Sequence, residues 1–211
     1  MPDKDSRRQS TKIPKNWPQN IRYLSQNEWS REVPSDILSY YLPRCSWNKL
    51  KCSSSSRSPI TSTKFPMKSG LNPPGPSRVV RIVRISSPTH PANGQLGLVA
   101  AANLSPRSHI LDYVGCVHTA STASTSSDYI LSLDRITQLS VDAELAGNEG
   151  RCINDFRGVA EKPNVEFETY RCEKTGEVRV GVWVLTKKIA KGEELLVTYG
   201  KGFWKERRLI A

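Results

Sequence analysis

From Arg78 onward the chain is cut into short, β-branched apolar runs, each closed by a turn, and this punctuation leaves no room for a long helix or a broad sheet. The runs "RVVRIVRI" (78–85), "QLGLVAA" (95–101), "DYILSL" (128–133), "VEFETYRC" (165–172), "GEVRVGVWVLT" (176–186) and "EELLVTYG" (193–200) read as strands. A further strand follows the turn that opens "SPRSHILDYVGCVH" (105–118). The tripeptide "KTG" (174–176) reads as a hairpin turn and "KKIAKGEE" (187–194) as another. One short helix is predicted around Asp142 to Gly147. The expected fold class is mainly β, a domain of several small sheets.

The residues before Arg78 differ in composition. They hold 10 of the 14 prolines, the run "CSSSSRSPITSTK" (52–64) and the run "LNPPGPS" (71–77). They also carry 13 of the 31 Lys and Arg against 5 of the 20 Asp and Glu, so most of the net charge of +11 sits there. The expected division is therefore 1–77, a basic, Pro/Ser-rich and partly disordered region, and 78–208, the folded domain. A basic region of this kind is either a solvated linker or an arm that touches nucleic acid or an acidic protein face. The segment "NWPQNIRYLSQNEWSREVPSDILSYYLPRCSW" (16–47) is too apolar for a pure linker and is expected to dock on the domain. Within it, Ser35 and Asp36 are expected to cap a short helix running through Leu42 and halted by Pro43.

The five cysteines form no C-x-x-C pair and no Cys/His cluster, so no metal site is predicted and a reduced, intracellular protein, nuclear or cytoplasmic, is expected. The first ten residues are polar and no apolar run approaches 18 residues, so neither a secretory leader nor a membrane association is expected. Phosphate-cradling and hydrolytic motifs are missing, and the three histidines, His90, His109 and His118, are scattered.

What the sequence does contain is an ordered series: "GQLGLVAA", "ILDYVG", "GNEGRCIND", "PNVEF", "GEELLVTYG" and "KGFW". In this order the series, across roughly Arg78 to Arg208, resembles the SET-domain protein lysine methyltransferases. That resemblance implies a threaded, pseudoknot-like crossing in the C-terminal segment, S-adenosyl-L-methionine as cofactor and a lysine-containing protein, such as a histone tail, as substrate. It implies Tyr199 as the catalytic tyrosine and Tyr113 as a second tyrosine of the lysine channel, with Tyr129, Phe167 and Val197 as further channel walls. It assigns the cofactor to Leu96 and Gly97 of the first turn, to Arg151, Asn154 and Asp155, and to Trp204. Strand alternation in "EELLVTYG" would place Leu195, Val197 and Tyr199 on one face.

The chain also departs from the family pattern. Asp155 stands where the family has His, Cys116 where it has Glu, Thr198 where it has Asp, and Gln95 where Gly is common. The cysteine-rich flanks of some relatives are missing. Phe167 and Val197 lack the hydroxyl with which some relatives restrict repeated methylation, so di- or trimethylation is expected to be accessible. Glu193 and Glu194, beside a Lys-Gly turn, read as solvated or hydrogen-bonding turn residues. The alternative reading is a non-catalytic module of the same shape that binds a peptide or chromatin.

Overall fold

The computed structural model describes residues 13–42, 64–70, 75–122, 124, 126–200 and 203–204. In chain order its elements are β1 (Arg22–Tyr23), β2 (Glu28–Trp29), α1 (Ser35–Tyr41), β3 (Met67–Lys68), β4 (Val80–Arg84), β5 (Leu96–Ala100), β6 (His109–Tyr113) and β7 (Cys116–Thr119). They continue with β8 (Ile130–Asp134), β9 (Leu139–Asp142), β10 (Ala146–Gly147), β11 (Asn154–Asp155), β12 (Val165–Cys172), β13 (Val178–Val184) and β14 (Leu196–Val197).

The strands form small sheets, as the short runs require. One four-stranded sheet has the order β3-β12-β13-β6 and another the order β2-β7-β9-β8. Among the described residues there are also three two-stranded pairs: β4-β5, β1-β10 and β11-β14. β13 is apolar at nearly every position because it is a central strand, paired with β12 on one side and β6 on the other, and is buried almost throughout. β4 instead alternates, with Val80 and Ile82 buried and Arg81 and Arg84 exposed, as expected for a strand with one face toward solvent.

The two larger of four apolar clusters among the described residues fill most of the interior. The first joins β4 and β5 to Ile110, Leu111, Ile153, Val165, Ile189 and Val197; the second joins α1 to Val117, Leu133, Val141, Val178 and Val180. Phe167 packs against both. Ile153 of the first cluster and Tyr113 of the second both reach the cavity described below.

The early segment docks through backbone pairing as well as apolar contact. β1 runs parallel to β10, with Arg22 opposite Ala146 and Tyr23 opposite Gly147. β2 runs parallel to β7, and β3 adds to the outer edge of β12, covering backbone groups that an edge strand otherwise exposes. Tyr41, fully buried at the end of α1, donates its hydroxyl to the Asp134 carboxylate and lies 2.7 Å from the Thr137 hydroxyl.

Several local expectations need correction. No helix forms around Asp142 to Gly147; β9 ends at Asp142 and β10 occupies Ala146–Gly147, because strand pairing with β7 and β1 claims those backbone groups. α1 forms, but Pro34 holds its N-cap position without a side-chain bond and Ser35 is already helical. The helix then ends with the Leu42 amide bonded to Leu38; Pro43 lies outside the described residues. β9 arises from "LSVD", a stretch too short and polar to stand out.

The docking of α1 makes a stability prediction. Tyr41→Phe leaves the ring in place but strips a donor from buried Asp134, which should cost about 1–2 kcal/mol. Chemical denaturation should show a lower midpoint with an unchanged slope; an unchanged midpoint would mean that the Tyr41–Asp134 bond contributes nothing to stability.

Candidate functional site

A single run of chain, Gly147 to Asp155, forms the floor of the site, and its first residues are spent on holding it there. Asn148 is buried and bonded at both ends of its amide: its oxygen accepts from the Val114 and Gly150 amides, and its nitrogen donates to the Asp112 carbonyl at 2.8 Å. Asn148 therefore caps the 3-10 turn Glu149–Cys152 and ties it to β6. Glu149, also buried, accepts from the Ser77 amide and the Tyr23 hydroxyl, which couples the turn to β1. Burial raises its pKa, and these bonds oppose the rise.

The turn delivers the chain to β11, which pairs in parallel with β14. Asn164 reinforces this junction from the far side of the loop: its backbone amide donates to Leu196, its side-chain oxygen accepts from the Leu196 amide at 2.8 Å, and its side-chain nitrogen donates to the Glu194 carbonyl at 2.7 Å. Because successive strand residues point to opposite faces, Asn154 and Asp155 reach different neighbours. Asn154 donates to the Leu96 carbonyl at 3.2 Å and to Glu194 Oε1 at 2.9 Å. Asp155 accepts from the Tyr199 amide at 2.7 Å, the Arg157 amide at 2.9 Å and the Trp204 indole at 3.3 Å, and pairs with the Arg157 guanidinium at 2.8 Å.

A cavity of about 340 Å³ lies over these residues. Its walls include Tyr113, Tyr129, Arg151, Ile153, Asn154, Asp155, Phe167, Tyr199 and Trp204. The sequence-predicted residues Tyr113, Tyr129, Arg151, Asn154, Asp155, Phe167, Tyr199 and Trp204 thus come together around one space. His90, Pro91, Gln95, Arg157 and Phe203 join them. Tyr199 donates its hydroxyl to the Ile153 carbonyl at 2.8 Å and packs edge-on against Phe203. Tyr113 donates to the Tyr129 carbonyl at 2.7 Å and packs edge-on against Phe167. Burial, opposed by the nearby Arg151 charge, pushes the Tyr113 phenol far above its ordinary pKa, so it stays protonated. The Arg151 guanidinium lies 4.0 Å from the centre of the Tyr129 ring, while its Nε donates to the Ala143 carbonyl.

Leu96, Gly97 and Val197 do not line the cavity. Val197 is 1% exposed and belongs to the first apolar cluster. Gly97 is buried, and a Cβ built there would meet Ile85 Cδ1 at 2.6 Å and Glu194 Oε1 at 2.9 Å, so the close approach that requires glycine is to the protein itself. Leu96 contributes its carbonyl to Asn154. Nor does one face collect Leu195, Val197 and Tyr199: Leu195, Leu196 and Val197 are all buried, β14 ends at Val197, and Tyr199 is 37% exposed.

Two participants, His90 and Arg157, escaped the sequence reading, while Glu194 fills the hydrogen-bonding role read for it. Glu194 is held between Asn154 and His90, while Glu193, as expected of a turn residue, accepts the Ala190 amide. Arg157 sits in a loop that looks merely charged, yet it pairs with Asp155 and its guanidinium lies 5.9 Å from the Trp204 ring centre. The run "THPANG" carries no catalytic signature, and "NDFR" would have signalled the Asp155–Arg157 pair only through its i, i+2 charge spacing. The cavity presents guanidinium, carboxylate, amide and aromatic groups together, a set suited to a zwitterionic ligand that carries an aromatic base. Among the described residues, no group of three or more His, Cys, Asp or Glu could hold a metal, and no helix is long and apolar enough to cross a membrane.

Asp155 gives the site a pH signature. Burial alone raises its pKa, but the Tyr199 and Arg157 amides, the Trp204 indole and the Arg157 guanidinium outweigh it and hold the carboxyl below its ordinary value. A depressed carboxylate contributes stability that is present above the unfolded pKa near ~3.9 and is lost as pH falls through the lower folded value. Thermal midpoints followed as pH is lowered from about 5 into the acid range should fall less steeply for Asp155→Asn than for the wild type. Parallel slopes would contradict this account of Asp155.

No curated protein matches the chain. Among solved structures, the Chaetomium thermophilum Polycomb Repressive Complex 2 bound to GSK126 is similar at 21% identity with a TM-score of 0.47, over 63% of this chain and 18% of that one. The same organism's complex in an autoinhibited conformation bound to S-adenosylmethionine is similar at 21% identity and a TM-score of 0.48, over 64% and 17%. Its crystal structure described simply as polycomb repressive complex 2 is similar at 24% identity and 0.48, over 60% and 16%. The chain spans less than a fifth of the length of these structures. The SET domain family model matches residues 95–200, half of the chain, and this span contains the cavity floor, β14 and Tyr199. On that match the chain belongs to the SET-domain family, whose members are mostly protein lysine methyltransferases.

Proposed function

We propose that the chain is a protein lysine methyltransferase that uses S-adenosyl-L-methionine, with the cavity above β11 as its active site. The observation that carries the reading is the convergence of Tyr199, Tyr113, Asn154 and Trp204, four separate sequence landmarks, on one space of about 340 Å³. In this reading Asn154, Asp155, Arg151 and Trp204 hold the cofactor, and Tyr113, Tyr129 and Phe167 form the lysine channel. The groups present fit such a ligand: a carboxylate suits Arg151, an ammonium suits the Asn154 amide oxygen, and an aromatic base suits Trp204. When bound, the cofactor supplies a methyl group already activated by its sulfonium.

The protein's part in the reaction is then alignment and desolvation. The apolar and aromatic channel lowers the pKa of an entering lysine from its free value near ~10.4, favouring the neutral amine. Tyr113, which stays protonated, orients the channel without acting as a base. Tyr199, fixed by its bond to Ile153 and by the Asp155 bond to its amide, offers its hydroxyl oxygen to weak C–H···O contacts at the reacting methyl. Asp155, in the place of the usual His, contributes through its side chain: it fastens Tyr199 and Trp204 at once.

The division at residue 78 is part of this proposal, with 78–208 as the catalytic domain and the pairing of β1, β2 and β3 as its support. So are a nuclear location and contact of the basic early region with nucleic acid. A histone tail, a common substrate in the family, is the first to assay.

Labelled-methyl transfer to histones and to a whole-lysate panel tests the reading. Tyr199→Phe should lower turnover about tenfold or more with little change in cofactor affinity, whereas Asn154→Ala should weaken the cofactor itself about tenfold. Wild-type protein that binds the cofactor but transfers nothing to any substrate would point to a non-catalytic binding module. Mass spectrometry of the product should find di- or trimethyl-lysine, since Phe167 carries no hydroxyl to restrain the amine; monomethyl product alone, with enzyme in excess, would contradict that.

A further inference from the structure

The β4–β5 connection, Ile85 to Gln95, is longer than a hairpin needs, and it folds back on itself: the His90 amide donates to Ser87, the Asn93 amide to His90 and the Gln95 amide to Ala92. Its tip packs against the loop after β11. Gly158, at φ +79°, leaves space that Pro91 fills; a Cβ there would meet Pro91 Cγ at 2.6 Å. The loop thereby brings His90 to the rim of the cavity with its side chain only 9% exposed.

His90 Nδ1 accepts the Ala92 amide at 3.0 Å. A ring nitrogen that accepts carries no proton, so in the neutral ring the proton is on Nε2, which donates to Glu194 Oε2 at 3.0 Å. The other oxygen of Glu194 accepts from Asn154 Nδ2 at 2.9 Å. Both partners of that nitrogen, Glu194 Oε1 and the Leu96 carbonyl, are acceptors, so the amide of Asn154 has one permitted orientation. Its oxygen is left as the polar atom it offers to a ligand, and it suits an N–H or ammonium donor.

We infer that His90 is a positioning residue for the ligand-facing amide of Asn154, acting through Glu194. Without the histidine, Glu194 can rotate away, and Asn154 gains the freedom to flip and present nitrogen where a ligand needs oxygen. This inference rests on the cofactor reading of the cavity. It adds a residue that precedes both the matched span and the first motif of the ordered series.

Calorimetric titration of S-adenosylhomocysteine into the full chain tests it. His90→Phe should weaken binding roughly five- to tenfold, and His90→Gln, which can still donate to Glu194, should recover most of the loss. In an Asn154→Ala background His90→Phe should have no further effect, a coupling that general damage to the fold would not produce. Glu194→Gln, which cannot accept both bonds, should weaken binding as well and carries the test if His90→Phe misfolds. Wild-type affinity in folded His90→Phe, or an equal loss in the Asn154→Ala background, would overturn the role of His90 while leaving the cofactor reading intact. Wild-type protein that does not bind S-adenosylhomocysteine would overturn both.

Discussion

The parallel pairing of Asn154–Asp155 with Leu196–Val197 is the contact on which the site depends. It is only two residues long, so it needs help, and the help comes from polar side chains at its margins. Asn164 clamps Leu196 and Glu194 from one side, and Asp155 clamps the Tyr199 amide from the other. Segments about 40 residues apart in sequence are thereby fixed edge to edge, and each candidate functional group, Asn154 on one strand and Tyr199 just past the other, is placed by the same junction.

The rest of the molecule braces that junction. Asn148 and Glu149 tie its approach to β6 and β1, and the first apolar cluster buries Ile153, Leu195 and Val197 beneath it. The early segment is part of this bracing: β1 pairs with the two residues that precede Asn148, so a change in residues 22–24 acts on the cavity floor through one strand contact. The cavity walls come from the other side, where Tyr113 and Phe167 mark the boundary between the two clusters.

Much of this was legible in the residues, for identifiable reasons. The strands were visible where β-branched runs meet turns, as in "VEFETYRC" and "GEVRVGVWVLT", because a central strand buried on both faces has to be apolar. Tyr113, Asn154, Tyr199 and Trp204 were visible as an ordered series. The misses follow from tertiary choices that local patterns do not encode. Strand pairing overrode helical character at 142–147, and a close approach between Ile85, Glu194 and Gly97 accounts for a glycine that looked like a ligand turn. His90 and Arg157 were invisible because each works through a partner distant in sequence or hidden in a charged loop. At Asp155, which stands where the family has His, the carboxylate collects three N–H donors and a guanidinium that hold the far wall in place.

The central claim is that this cavity holds the methyl donor between Asn154 and Trp204, with its reacting end toward Tyr199. A crystal structure of the full chain grown with S-adenosylhomocysteine tests it most directly. The account predicts the ligand's amino-acid end against Asn154, its base against Trp204 and its sulfur facing the Tyr199 hydroxyl. Ligand found elsewhere on the protein, or a cavity that stays empty at saturating ligand, would contradict it.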